Sequence, residues 1–205
     1  MAENLRTCIT DPIPQIFDAA RYLDAAVTAH LRGKRALAEE LIYAADMPEI
    51  YKWLKPIWAN TKANLVSQEI QNQPALSRNL RAVVRMPNKE EKRRIHQRDG
   101  YNCRFCGLPV IRSEVRTRIA SSYSTAARWG RKELEQHSAF QAMWAQYDHI
   151  VPHAKGGTND LENIVLTCAA CNFGRGSYSL EEVGVADPRK RSPFRSAWDG
   201  LERFP

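Results

Sequence analysis

Two cysteine pairs of identical spacing constrain this chain more than any other feature. Cys103 and Cys106 form one C-x2-C, in "YNCRFCG", and Cys168 and Cys171 form another, in "LTCAACN". Together they account for four of the five cysteines. The 61 residues between Cys106 and Cys168 exceed the usual interval of a zinc ribbon. Two knuckles of matching geometry can still supply four thiolates to one tetrahedral Zn²⁺. Structural zinc on Cys103, Cys106, Cys168 and Cys171 is therefore expected, with redox thiols or plain core cysteines as the alternatives. Four sulfurs fill the coordination shell and leave no place for water or substrate. Such a zinc holds a fold; chemistry has to come from other residues.

The compartment bears on that reading. The start, "MAENLRTCITDP", lacks a basic stretch followed by an apolar block, and no run approaches the ~18 apolar residues of a membrane span. A cytoplasmic location is the expectation, and in a reducing compartment paired cysteines mean metal more often than disulfide. The net charge of +7 is uneven, +2 over residues 1–90 and +5 over residues 91–205. Residues 112–132 hold six cations (Arg112, Arg116, Arg118, Arg128, Arg131, Lys132) against one acid, Glu114. A polyanionic partner, most simply nucleic acid, fits this balance, and so does a merely soluble basic surface.

Periodicity divides the chain near residue 87. Residues 1–87 read as a helical N-terminal module. Asp11 is a start signal, Gly33 a stop, "ALAEELIYAAD" continues the period, and Pro48 opens a third segment that Pro56 ends or kinks. "PALSRNLRAVVRMP" reads as a connector. Residues 88–205 read as a second unit. Asn88 with Glu91 makes an Asn-x-x-Glu cap for a short basic helix through Arg98, stopped by Gly100. A mostly helical insert, 111–145, broken near Gly130, separates the knuckles. "QYDHIV" and "NIVLT" suit short strands with "KGGTND" as the turn between them, and an irregular tail follows Ser179. His96 and His137 read as surface residues, and Trp129 as a core residue or a platform for a base.

The stretch "DHIVPHAKGG…LENIVLTCAACN", with "CRFCG" upstream, resembles the HNH endonuclease family, and the longer pattern looks like free-standing bacterial HNH proteins. The resemblance covers about residues 92–177, interrupted by the insert. It implies an α+β fold: a mostly helical N-terminal part, then a ββα-metal nuclease core with a four-cysteine zinc site and a helical insert. Carried over residue by residue, it implies that Asp148 binds the catalytic divalent cation. His149 is then the general base, Asn163 fixes the loop through bonds to backbone near the histidine, and Asn172 is the second metal ligand. Asn172 stands where the family's name has histidine; an amide oxygen suits hard Mg²⁺ or Mn²⁺. An imidazole titrates near neutrality and can take the proton of an attacking water. In a regular strand, however, neighbours 148 and 149 point to opposite faces, so both serve one site only if the strand end bends.

Arg116, Arg118, Arg128, Arg131 and Lys132 of the insert, with Arg175 and His153, are the expected phosphate contacts. The reading is a metal-dependent endonuclease acting on DNA, most simply double-stranded, with defence against foreign DNA as a family-level analogy. A zinc-stapled DNA-binding module without catalysis and an RNA-cleaving nuclease are the alternatives. The N-terminal helices are further candidates for a protein partner or self-association.

Overall fold

The computed structural model describes residues 5–59, 74–77, 79 and 86–205. Residues 78 and 80–85 of the connector expected between 74 and 87 lie outside the described residues. Among the described residues no helix is long and apolar enough to cross a membrane.

Three helices come first: α1 (Pro14–Leu31), α2 (Arg35–Ala44) and α3 (Pro48–Trp58). The first starts at Pro14 and not at Asp11, because proline's fixed φ suits the first helical position. Asp11 instead accepts from the Cys8 thiol at 3.4 Å. Gly33 takes φ +72 after α1, and α2 folds back against α1. Pro56 sits in the last turn of α3, which ends two residues later. Ile50, Leu54 and Ile57 form its buried stripe at helical spacing.

The basic helix α4 (Lys89–Asp99) opens with the expected reciprocal cap. Glu91 N–H donates to the Asn88 side chain at 3.0 Å, and Asn88 N–H donates to the Glu91 carboxylate at 2.6 Å. Its end reaches the sheet. Asp99, 1% exposed, accepts from Leu166 N–H at 3.0 Å, and Arg98 donates to the Ile164 carbonyl at 2.6 Å.

The insert is less helical than its sequence suggests. It contains α5 (Ser113–Ser122), a 3-10 turn at Glu133–Glu135 and the short α6 (Ser138–Ala142). Residues between them run as turns held by tertiary contacts. Gly130 marks the break, because a Cβ there would lie 2.5 Å from Glu135 atoms. Backbone bonds from Ile111 to Met143 (2.6 Å) and from Ala145 to Ile111 (3.0 Å) bring the two ends of the insert together.

Strands β1 (Gln146–His149) and β2 (Ile164–Thr167) pair antiparallel, with Asp148 opposite Val165 and His149 opposite Ile164. Helix α7 (Ala169–Arg175) follows β2 and packs on β1. The architecture is α+β, a two-stranded sheet among seven α-helices of the described residues. One apolar core runs from α1–α3 through the insert to the sheet. Its joints are polar: Asp46, after α2, accepts from Ser138 N–H at 2.8 Å and pairs with Arg128. His137, fully buried, bonds the Ile42 carbonyl at 2.9 Å, and His96 is 8% exposed against Tyr101 and Tyr147. Both histidines are thus interior, not surface, residues.

Candidate active site and metal cluster

The knuckles converge. The sulfurs of Cys103, Cys106, Cys168 and Cys171 all lie within 4.8 Å of one another, with Cys106 Sγ 3.6 Å from Cys168 Sγ. A tetrahedron of Zn–S bonds near 2.3 Å requires sulfurs roughly 3.8 Å apart, so the cluster fits zinc. Local structure prepares it. Cys103 N–H reaches the Leu108 carbonyl (2.7 Å) and Gly107 N–H the Cys103 carbonyl (2.9 Å), closing the first knuckle through a glycine at φ +78. Arg104 N–H bonds the Leu166 carbonyl at 2.8 Å, tying that knuckle to β2. The second knuckle is the start of α7, where Cys168 is the N-cap. Burial, with the neighbouring sulfurs, pushes the Cys106 thiol well above its ordinary pKa, and those same neighbours push Cys171 up. A bound cation must therefore displace protons.

Asn172 follows Cys171 directly on the same helix. It lines a cavity of about 520 Å³ together with Asp148, His149, His153 and Arg175. Asp148 and His149 are consecutive strand residues, 6% and 7% exposed, yet both reach this cavity. Arg175 is at the bend. Its Nε and Nη2 hold the two Asp148 oxygens at 3.0 and 2.5 Å, and Nη2 also donates to the His149 carbonyl. Nη1 donates to the carbonyls of Ile150 (3.3 Å) and Tyr178 (3.0 Å). A guanidinium 1% exposed, bonded to three successive residues, fixes the strand end where it leaves the sheet. Burial pushes the Asp148 carboxyl above its ordinary pKa, with Arg175 pulling the other way.

The loop between the strands is equally constrained. Asn163 accepts from Val151 N–H at 2.8 Å and donates to the carbonyls of Thr158 (2.9 Å) and Val151 (3.2 Å). Gly157 is required by proximity, since a Cβ there would lie 1.8 Å from the Val151 oxygen. Lys155 pairs with buried Glu182, fastening the loop to the tail. His149 Nε2 lies 2.8 Å from Asn159 Oδ1. An amide oxygen only accepts, so Nε2 carries the hydrogen and Nδ1 is the basic nitrogen of the neutral ring. Sequence motifs do not single out Asn159. The available signal is its place in the glycine turn, ten residues beyond the histidine.

The expected phosphate contacts are scattered. Arg116 lies 3.5 Å from the Trp129 ring centroid and 5.4 Å from that of Trp144, and burial lowers its pKa to about 10. Trp129, half-buried, packs against this guanidinium and the Trp144 ring. Arg118 bonds the Phe204 carbonyl at 3.2 Å, Arg128 pairs with Asp46, and Arg175 is interior. Arg131 and Lys132 are exposed and do not line the cavity, whereas His153 does.

Asp148 and Asn172 offer hard oxygen donors to one cavity, a donor set that suits Mg²⁺ or Mn²⁺. No curated protein matches this chain, and no solved structure matches it. The family model described as HNH endonuclease matches residues 134–177, which span both strands, the loop between them and α7. The chain therefore carries a domain of the HNH endonuclease family, a family of metal-binding nucleases that act on nucleic acid.

Proposed function

We propose that the protein is a metal-dependent endonuclease that hydrolyses phosphodiester bonds of double-stranded DNA with a histidine general base. The observation that carries this reading is the convergence of Asp148, His149 and Asn172 on one cavity. His149 takes the proton of the attacking water at Nδ1, the nitrogen that its bond to Asn159 leaves unprotonated. Asn163 holds the loop so that the imidazole keeps its place, and Arg175 holds the strand end that carries Asp148 and His149. Asp148 and Asn172 would hold Mg²⁺ or Mn²⁺, which when bound would supply charge relief to the phosphate. Zinc on the four cysteines is structural in this reading, because all four ligand positions are filled. Phosphates beyond the cut fall to His153 and, farther out, to Arg131 and Lys132. The cytoplasm is the proposed location and defence against foreign DNA the proposed role. The N-terminal helices, which expose Phe17, Tyr22, Leu37 and Tyr43, are the proposed element for a protein partner or self-association.

The test is cleavage of plasmid, single-stranded DNA and RNA by the zinc-loaded chain with Mg²⁺ or Mn²⁺, beside His149→Ala. Nicking or linearisation of plasmid by wild type alone is expected. Equal cutting by both would place the base elsewhere, and cutting confined to RNA would overturn the DNA assignment.

A further inference from the structure

The charge balance of the candidate cavity differs from that of a site built to hold a divalent cation unaided. Among the described residues that line it, Asp148 is the one acid and Arg175 the one residue of permanent positive charge. The two are bonded through both carboxylate oxygens, and their side chains are 7% and 1% exposed. His149, with a basic Nδ1, and Asn172 add donor atoms but no negative charge. A further acid of the surrounding elements, Glu182, is paired with Lys155. The protein therefore presents a divalent cation with a pocket whose fixed charges sum to zero. Two of the carboxylate's lone-pair directions also remain for coordination once the guanidinium has taken its two. Sites that hold Mg²⁺ or Ca²⁺ tightly use several carboxylates, and those with few rely on substrate phosphate to complete the shell.

We propose that the catalytic cation and the nucleic acid load cooperatively: Arg175 cancels the single protein charge, and the scissile phosphate restores it. This rests on the nuclease reading above and adds an order to it. The cation site is weak in the free protein and forms with substrate. Coupling is reciprocal, so the cation must tighten nucleic-acid binding by the same factor that nucleic acid tightens cation binding. The bonds of Arg175 to three backbone carbonyls keep it in place as the pocket fills. A cell's resident Mg²⁺ would then leave the unengaged pocket largely empty, and hydrolytic competence would appear only on nucleic acid.

The experiment uses the full-length, zinc-loaded His149→Ala chain, which keeps the cavity and does not cut. Mn²⁺ binding is followed by electron paramagnetic resonance with and without a saturating duplex oligonucleotide, and the duplex alone serves as the blank. At least tenfold tighter Mn²⁺ binding with duplex is expected, with an equal tightening of duplex binding by Mn²⁺. Adding Arg175→Gln should raise duplex-free Mn²⁺ affinity tenfold or more, while Arg175→Lys, which keeps the charge, should not. Zinc content and thermal melting verify that these variants fold. Equal Mn²⁺ affinity with and without duplex, in a chain whose wild type cuts DNA, overturns the cooperativity and spares the nuclease reading. Absence of Mn²⁺ binding in both conditions, with no cleavage by wild type, overturns both.

Discussion

Replacing Asn159 with alanine isolates one hydrogen bond in the candidate centre. Its amide oxygen accepts from His149 Nε2 at 2.8 Å, and His149 is 7% exposed. Without that acceptor the neutral ring can put its hydrogen on either nitrogen, and the tautomer with Nδ1–H cannot take a proton from water there. Loss of a partner that orients a functional imidazole typically costs about 10–100-fold. The same loss in kcat is about 1.4–2.7 kcal/mol of barrier. The bond itself contributes roughly 1 kcal/mol to folding, so the variant should melt only a few degrees lower. KM should move little, since Asn159 is not among the residues lining the cavity. Asn159→Asp keeps an acceptor at the same place and should recover most of the rate; Asn159→Leu should not. Steady-state cleavage of plasmid gives the rates, and the ¹⁵N shifts of the His149 ring report the tautomer directly. A wild-type kcat in Asn159→Ala, or an aspartate variant as slow as the leucine one, refutes the reasoning.

Further outcomes follow from the same geometry. Elemental analysis should find one zinc per chain, and Cys106→Ser or Cys171→Ser should lose it and unfold the part of the chain around the sheet, because binding at such a cluster is folding free energy; full zinc content in either variant counts against the site. Arg116→Ala should destabilise the fold by roughly 1–2 kcal/mol through its lost stacking on Trp129 and Trp144, with DNA affinity unchanged. Arg131→Ala with Lys132→Ala should do the reverse, flattening the slope of log K on log salt by about 0.9 for each phosphate no longer neutralised, and an unaltered slope would remove the insert from the DNA path. Burial holds His137 below its ordinary pKa, so the native state keeps it neutral while the unfolded chain takes up a proton below about pH 6.5. Its stability is complete above that pH and declines below it, by up to about 1.4 kcal/mol per pH unit; His137→Gln should remove that much of the slope in denaturant unfolding between pH 5 and 7, and identical slopes would show that His137 takes up its proton inside as readily as in the unfolded chain.

What the sequence disclosed depended on how far apart the cooperating residues lie. The Asn88 cap, the stop at Gly100, the two strands and the glycine turn are settled by residues within a few positions of one another, and each stands as expected. The cysteine cluster spans the insert and was legible anyway, since thiol spacing is a chemical signature and not a packing one. The arginines of the insert were not legible. Arg128 faces Asp46, 82 residues away, and Arg118 the Phe204 carbonyl, 86 residues away. Composition counts a cation as available to solvent whether or not a distant acid has already claimed it. His137 misleads in the same way, because its burial is imposed by the carbonyl of Ile42, 95 residues upstream.

The shared helix α7 explains why the candidate centre and the cysteine cluster appear in one short stretch of sequence. Cys168 and Cys171 anchor its first turn, Asn172 enters the cavity, and Arg175 turns inward to Asp148. Phe173 lies between them, its ring 5.2 Å from Trp58 of α3 and 5.9 Å from Trp144 of the insert. Trp58 also donates to the Gln141 side chain at 3.2 Å. Cys171, Asn172, Phe173 and Arg175 of α7 thus face four different partners: the other cysteines, a cavity, an aromatic wall and a buried carboxylate. A seven-residue helix is too short to be stable on its own, so its rotation about its axis is set by those partners together. Disrupting the cysteine cluster should therefore release one end of α7 and loosen the placing of Asn172, which ties the proposed structural zinc site to the proposed catalytic one.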